Sequence, residues 1–164
     1  MRNMDRMITE IDAALRRELF TVALQATLAL VDICGALESR TGRASGDAFK
    51  AWFSEHIAPK YEEFSAADAY ELRCGMLHQG RSASKQYKAI LFMLPGQRTL
   101  MHQCIADDAY ILDLETFCAD VVLAVQRWWK ENEASEPVRS NAESLVRIRE
   151  NGFLPYLAGP AVLA

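Results

Sequence analysis

The sequence predicts a mainly α-helical bundle with a small β-hairpin inserted at about residues 86–105. Three observations lead there. Apolar residues recur every three to four positions near both ends of the chain. No Gly or Pro interrupts the chain before Gly35. A short apolar run, Tyr87 to Leu94, then meets the strong turn signal Pro95-Gly96. The 164 residues, 51% apolar and 24% charged, suit one domain with a real core and argue against disorder. A single domain over 1–164 is expected, with an apolar tail from about residue 151.

Met4, Met7, Ile8, Ile11 and Leu15 take the i, i+3, i+4, i+7 positions of an amphipathic helix, and Glu10, Asp12, Arg16 and Arg17 take the others. The helix is expected to bend or break near Glu18. Residues 19–37 are apolar almost all round, as in a helix enclosed by others. This stretch is long enough to raise the question of a membrane span, but Asp32 within it would be costly in lipid. A buried central helix is the expectation, with no membrane partner.

Residues 39–46 read as a loop, and Ser45 or Asp47 can cap a helix over 48–57 that Pro59 ends. Ser65-Ala66-Ala67-Asp68 is a capping box, opening a helix through Tyr70, Leu72, Met76 and Leu77 that Gly80 stops. Residues 87–105 follow as the hairpin, or as a further short helix and a loop. Asp107-Asp108 is expected to be a solvated turn. Asp113 is a good N-cap for a helix carrying Leu114, Phe117, Cys118, Val121, Val122, Val125 and Trp128 or Trp129. A charged helix over 138–149 is expected beyond Pro137. The turn-rich tail is expected to dock in a groove of its own subunit or of a partner.

Net charge is −4, which disfavours broad neutralisation of duplex phosphates but leaves room for a pocket that handles one RNA phosphate. Cys34, Cys74, Cys104 and Cys118 form no C-x-x-C pair and read as reduced thiols of a cytoplasmic protein. His102 and Cys104 have no second pair of ligands at a workable spacing, so neither a metal nor another cofactor is expected. No phosphate-cradling Gly loop, G-x-S-x-G or H-E-x-x-H occurs.

The constellation that carries chemistry is Glu71-Leu72-Arg73-Cys74-Gly75-Met76-Leu77-His78, near the end of a helix. It reads R-x4-H and resembles the signature of HEPN domains. The looser resemblance covers a helical first half, the motif helix, a short irregular or hairpin segment and a capped last helix, from Met4 to about Lys130. The resemblance implies a homodimer in which two motifs meet, and metal-independent RNA cleavage in the active members. Arg73 would hold the scissile phosphate, since a guanidinium stays charged and offers phosphate two donors. His78 would act as general acid or base, since an imidazole titrates near working pH. Such a protein would be a toxin or host-defence component, with RNA or a nucleotide as ligand and an antitoxin-type protein as a further partner.

Elementary geometry complicates this picture. Five residues at 100° put Arg73 and His78 roughly 140° apart on an ideal helix. Convergence therefore needs a deformation at Gly75, a wrapped Arg stem or a two-fold axis. Glu71 shares a stripe with His78, two turns away, and is an accessory candidate. Cys74 stands where active HEPN members often carry a polar residue, which favours a non-catalytic module that binds RNA or a nucleotide or assembles as a dimer. The competing reading is structural: Arg73 pairs with Glu71 or Asp68, and His78 serves the helix macrodipole. His56 is read the same way. His102 would approach the motif or face solvent, and Arg81, Lys85 and Lys88 would touch an RNA backbone or be plain solvation.

Overall fold

The computed structural model describes residues 3–164. The fold is mainly α, with a small β insertion. Helix α1, Asn3–Arg16, buries Met4, Ile11 and Ala14. It stops where expected, because Glu18 turns left-handed at φ 58°. Leu19 N–H then reaches back to Ala14 O and Glu18 N–H to Leu15 O, which satisfies carbonyls the helix would otherwise orphan.

Helix α2, Phe20–Glu38, is the axis of the bundle and buries Leu24, Leu28, Leu30, Val31, Cys34 and Leu37. It is long and apolar enough to cross a membrane by length and composition. Here it is surrounded by α1, by α3 (Gly46–His56), α4 (Ala66–His78), α5 (Leu114–Asn132) and α6 (Val138–Ala142). Each enclosed Leu or Val side chain contributes about 1.5–3 kcal/mol of burial free energy. The Ser45 hydroxyl caps α3 by accepting from Ala48 N–H. Ser65 and Asp68 form the reciprocal capping box of α4, and Asp113 accepts from Thr116 N–H to open α5.

The β insertion is paired differently from the expectation. Strand β1, Ala89–Met93, runs parallel to β3, Ala109–Asp113, while β2, Cys104–Ala106, is antiparallel to β3. The order is β1-β3-β2. The hairpin therefore spans 104–113 and turns at Asp107-Asp108, with Asp107 left-handed at φ 51°. Pro95-Gly96 lies in a crossover instead. The reason is burial: Tyr110, Ile111 and Leu112 sit in the core, which makes β3 the central strand. The Phe64 ring stacks on Tyr110 with centroids 5.3 Å apart, and Phe64 in turn meets Phe53 of α3 and Phe117 of α5. One aromatic cluster thus joins sheet to helices.

The C-terminal region also departs from the expectation. The charged helix stops at Ala142. Asn141 turns inward and donates to Leu37 O and Ser39 O, both at 2.9 Å, closing the end of α2. Residues 147–164 form a two-stranded arm. Its pairs are β4 (Ile148–Arg149) with β7 (Val162–Leu163), and β5 (Gly152–Phe153) with β6 (Leu157–Ala158). Backbone pairing between Arg147 and Ala164 draws the would-be helix into extended chain. The tail leaves apolar side chains open: Leu154 and Tyr156 are 71% and 81% exposed.

Two outcomes follow from this packing. A Cβ at Gly35 would lie 2.7 Å from the Ala48 carbonyl oxygen, so α2 and α3 cross at a distance only glycine allows. Gly35→Ala is expected to cost about 1–3 kcal/mol in urea unfolding, since the obstacle is backbone. Cys34 and Cys118 are buried, and burial raises both thiols, Cys118 to about 11. Cys74 and Cys104 are partly exposed. Iodoacetamide at pH 8 should therefore label Cys74 and Cys104 in the folded protein and spare Cys34 and Cys118, as read by peptide mass mapping.

Candidate functional site

The site is built at the C-terminal end of α4, where it lies against α2. Arg73 and His78 do converge within one chain: Arg73 Nη1 lies 3.3 Å from His78 Nε2. Helix α4 remains helical through His78, so the long Arg stem bridges the angular gap and no break at Gly75 is needed. At this spacing, a neutral His78 presents the Nε2 lone pair toward the guanidinium.

Arg73 is held from behind by Asp32 of α2, at 2.5 Å from Nε to Oδ2. It pairs with neither Glu71 nor Asp68. Both members are largely enclosed, with side chains 20% and 11% exposed, while His78 is exposed. Burial raises the Asp32 carboxyl above its ordinary value; the Arg73 hydrogen bond and charge, and then His78, pull it back only in part. For Arg73, burial works against the charge, but the bond and charge of Asp32 outweigh it and leave the guanidinium more firmly protonated. Occupying Nε leaves the Nη groups at the exposed end, beside His78. That is the edge a phosphate would use.

Cys74 and Tyr70 complete the polar set. Arg73 Nη1 lies 3.9 Å from Cys74 Sγ. A hydrogen bond shared with Cys74 is the main cause that raises the Tyr70 hydroxyl, ahead of the thiol's charge and burial. Cys74 therefore belongs to the contact set of Arg73, although its sulfur is a weak phosphate partner.

Gly75 has a different part from the deformation considered above. A Cβ there would meet Arg81 O at 2.7 Å. The chain folds back onto the helix at this point, with Gln79 and Arg81 both donating N–H to Gly75 O at 2.9 and 3.0 Å. Gly80, left-handed at φ 63°, makes the reversal. Gln25 of α2 donates to Met76 O at 3.0 Å, answering another carbonyl of the helix end.

Glu71 is not directed at His78. Its carboxylate takes the Lys85 backbone N–H at 2.5 Å and Lys85 Nζ at 3.1 Å. Asp68 likewise serves the fold, bonding Ser65 at the cap and Ser84 at 2.7 Å on the return loop. A shallow cleft of ≈ 390 Å³ opens between α4 and the return loop, lined by Glu71, Cys74, Gly75, Gln79, Arg81 and Lys85 among others; neither Arg73 nor His78 lines it. Lys88 pairs with Asp108, away from this cleft.

The other two histidines lie elsewhere. His102 Nδ1 accepts Asp113 N–H at 3.1 Å and its ring meets Tyr61, so it holds the start of α5. His56 packs on Trp52 at 4.6 Å, near Glu38. Among the described residues, no three His, Cys, Asp or Glu side chains form a group able to hold a metal ion.

Sequence reasoning missed Asp32 and Tyr70 as members of the site. The signal for Asp32 was present, since a carboxylate inside an apolar helix requires a cationic or hydrogen-bonding partner. Tyr70 lies three residues before Arg73 and four before Cys74, so all three share one face of α4. Comparison with family models, curated proteins and solved structures returned no match.

The raised Asp32 carboxyl sets a pH prediction. A carboxyl whose folded value exceeds its unfolded one favours the native state when protonated. The penalty for ionising it is absent at low pH and grows as pH rises above about 3.8, the ordinary value of the carboxyl. Asp32→Asn should therefore gain stability relative to the wild type as pH rises from 4, with a plateau once the folded group has ionised. Urea titrations of both proteins from pH 4 to 7 would show this; a difference that moves the opposite way would mean Arg73 dominates the carboxyl.

Proposed function

We propose that this chain is an HEPN-like, metal-independent endoribonuclease, with Arg73 and His78 in its active site. The observation that carries this reading is the 3.3 Å approach of Arg73 Nη1 to His78 Nε2 at an exposed helix end, with Asp32 anchoring the guanidinium from behind. Purely structural roles do not call for that approach, because it places two basic groups together where solvent can reach them.

The chemistry follows from the positions. The RNA phosphate takes over the Arg73 Nη contact, and the His78 Nε2 so freed removes the proton from an RNA 2′-hydroxyl. The freed oxygen attacks the adjacent phosphorus, and the bond from phosphorus to the 5′-oxygen breaks. That leaving oxygen takes a proton from solvent or from an imidazolium of a second copy. The products are a 2′,3′-cyclic phosphate and a 5′-hydroxyl end, and no outside oxidant or reductant enters. Arg73 compensates the charge that builds on the non-bridging oxygens. A preorganised guanidinium does this without reorganising, and the Asp32 bond provides the preorganisation.

A second reading is favoured by Cys74, whose thiol occupies the place beside Arg73 where a better phosphate donor would stand. In that case the same surface around Arg73 binds RNA or a nucleotide without cutting it. The four free cysteines support a reducing, cytoplasmic setting for either reading.

The test is cleavage of a mixed RNA pool in EDTA by the wild type, Arg73→Ala and His78→Ala. Loss of about 10²–10⁴-fold in rate is expected for His78→Ala, the usual share of a general base. A loss of the same order is expected for Arg73→Ala, from missing charge stabilisation. Cleaved ends should be cyclic phosphates. Absence of cleavage by the wild type, with RNA still retained on a filter and released by Arg73→Ala, would establish the binding module instead.

A further inference from the structure

The arm at 147–164 presents an anomaly. Val146, Ile148, Leu154, Tyr156, Leu157 and Leu163 are all exposed on or beside a two-stranded ribbon. A ribbon of this kind is marginal alone, and an apolar surface of this size marks a contact. On the other side of the balance, an open cavity of ≈ 450 Å³ runs between α1 and α5. Ile8, Ile11, Leu15 and Val122 line it, Leu123 stands 52% exposed on its lip, and the carboxylates of Asp12 and Glu115 mark its rim. No residue of the arm lines this cavity in the single chain.

We infer that the arm of one copy lies in the α1–α5 groove of a second copy, and that the exchange is reciprocal. Charge selects this occupant. The arm carries Arg147 and Arg149 against one acid, Glu150. Arg149 stacks 4.1 Å from the centroid of Phe153, and its Nε has no hydrogen-bond partner among the described residues. On the groove rim Glu115 supplies a carboxylate for such a group, while Asp12 pairs with Arg16 of its own helix. Because arm and groove belong to the same chain, two copies satisfy both surfaces at once and close a two-fold assembly with no surplus ends. Seating the arm also excludes water from Leu154, Tyr156 and Leu157, which supplies the association with an apolar driving force.

The inference is independent of RNA chemistry, and its test reads assembly alone. The full chain is examined by sedimentation equilibrium from 1 to 100 µM, a range set by ordinary micromolar affinities. The pairs Leu154→Asp with Tyr156→Asp, and separately Leu123→Asp, should each halve the assembled mass, with helical circular dichroism unchanged. Arg149→Glu should weaken association by about ten-fold or more, as reversing one close charge pair does. Adding Glu115→Arg to Arg149→Glu should restore it. A wild-type protein that stays monomeric overturns the proposal. So does an assembly that the arm variants break while Leu123→Asp leaves it intact, because the arm then covers some other surface.

Discussion

Enclosure of α2 is the constraint from which the rest of the fold follows. A helix apolar on nearly every face can neither lie on a surface nor stand at an edge, so other elements must pack around it. Helices α1, α3, α5 and α6 do so, and Gly35 lets α3 approach closer than any side chain would permit. Of its two carboxylates, Glu38 sits at the C-terminal end and accepts from Trp128, while the buried Asp32 becomes the strongest local demand. Asp32 must be answered by a cation, and Arg73 of α4 answers it. One buried acid thereby determines how α4 is rotated and which way its arginine extends.

That rotation has a chemical consequence. With Nε engaged, the guanidinium cannot swing freely, and its outer edge is delivered beside His78. A residue that looks like a stability device in α2 becomes a positioning device for the end of α4. The return loop strengthens the arrangement from the other side. Gly75 accepts two backbone donors through its carbonyl, and Asp68 and Glu71 tie Ser84 and Lys85 to the same helix. The site is therefore held by rigid elements on both flanks, while the His78 side chain remains open to solvent.

The β insertion shows how tertiary burial overrides a local turn signal. Pro95-Gly96 is a strong turn in isolation, yet the chain uses it in a crossover. Tyr110 fits against Phe64 and Tyr87, and this aromatic contact makes 109–113 the central strand. Once β3 is central, β2 pairs across the Asp107-Asp108 turn and β1 must join from the opposite edge. The same competition acts at the C-terminal end, where pairing of 147–149 with 162–164 replaces helix with strand.

The sequence by itself determined the helical class, the break near Glu18, the caps at Ser65 and Asp113, a cap at Ser45 or Asp47, and the presence of an Arg–His pair at a helix end. These are local matters, settled by 3.6-residue periodicity, by capping side chains and by the sterics of left-handed backbone. Tertiary structure alone decided that Arg73 meets Asp32 rather than Glu71, that Glu71 turns to Lys85, and that β1 and β3 run parallel. Each of those depends on which partner lies across a gap of 14 to 41 residues. Asp32 could be recognised in sequence as a group in need of a counter-charge, but several arginines could have supplied it. The choice fell to Arg73 because packing α4 against α2 placed that one guanidinium within reach.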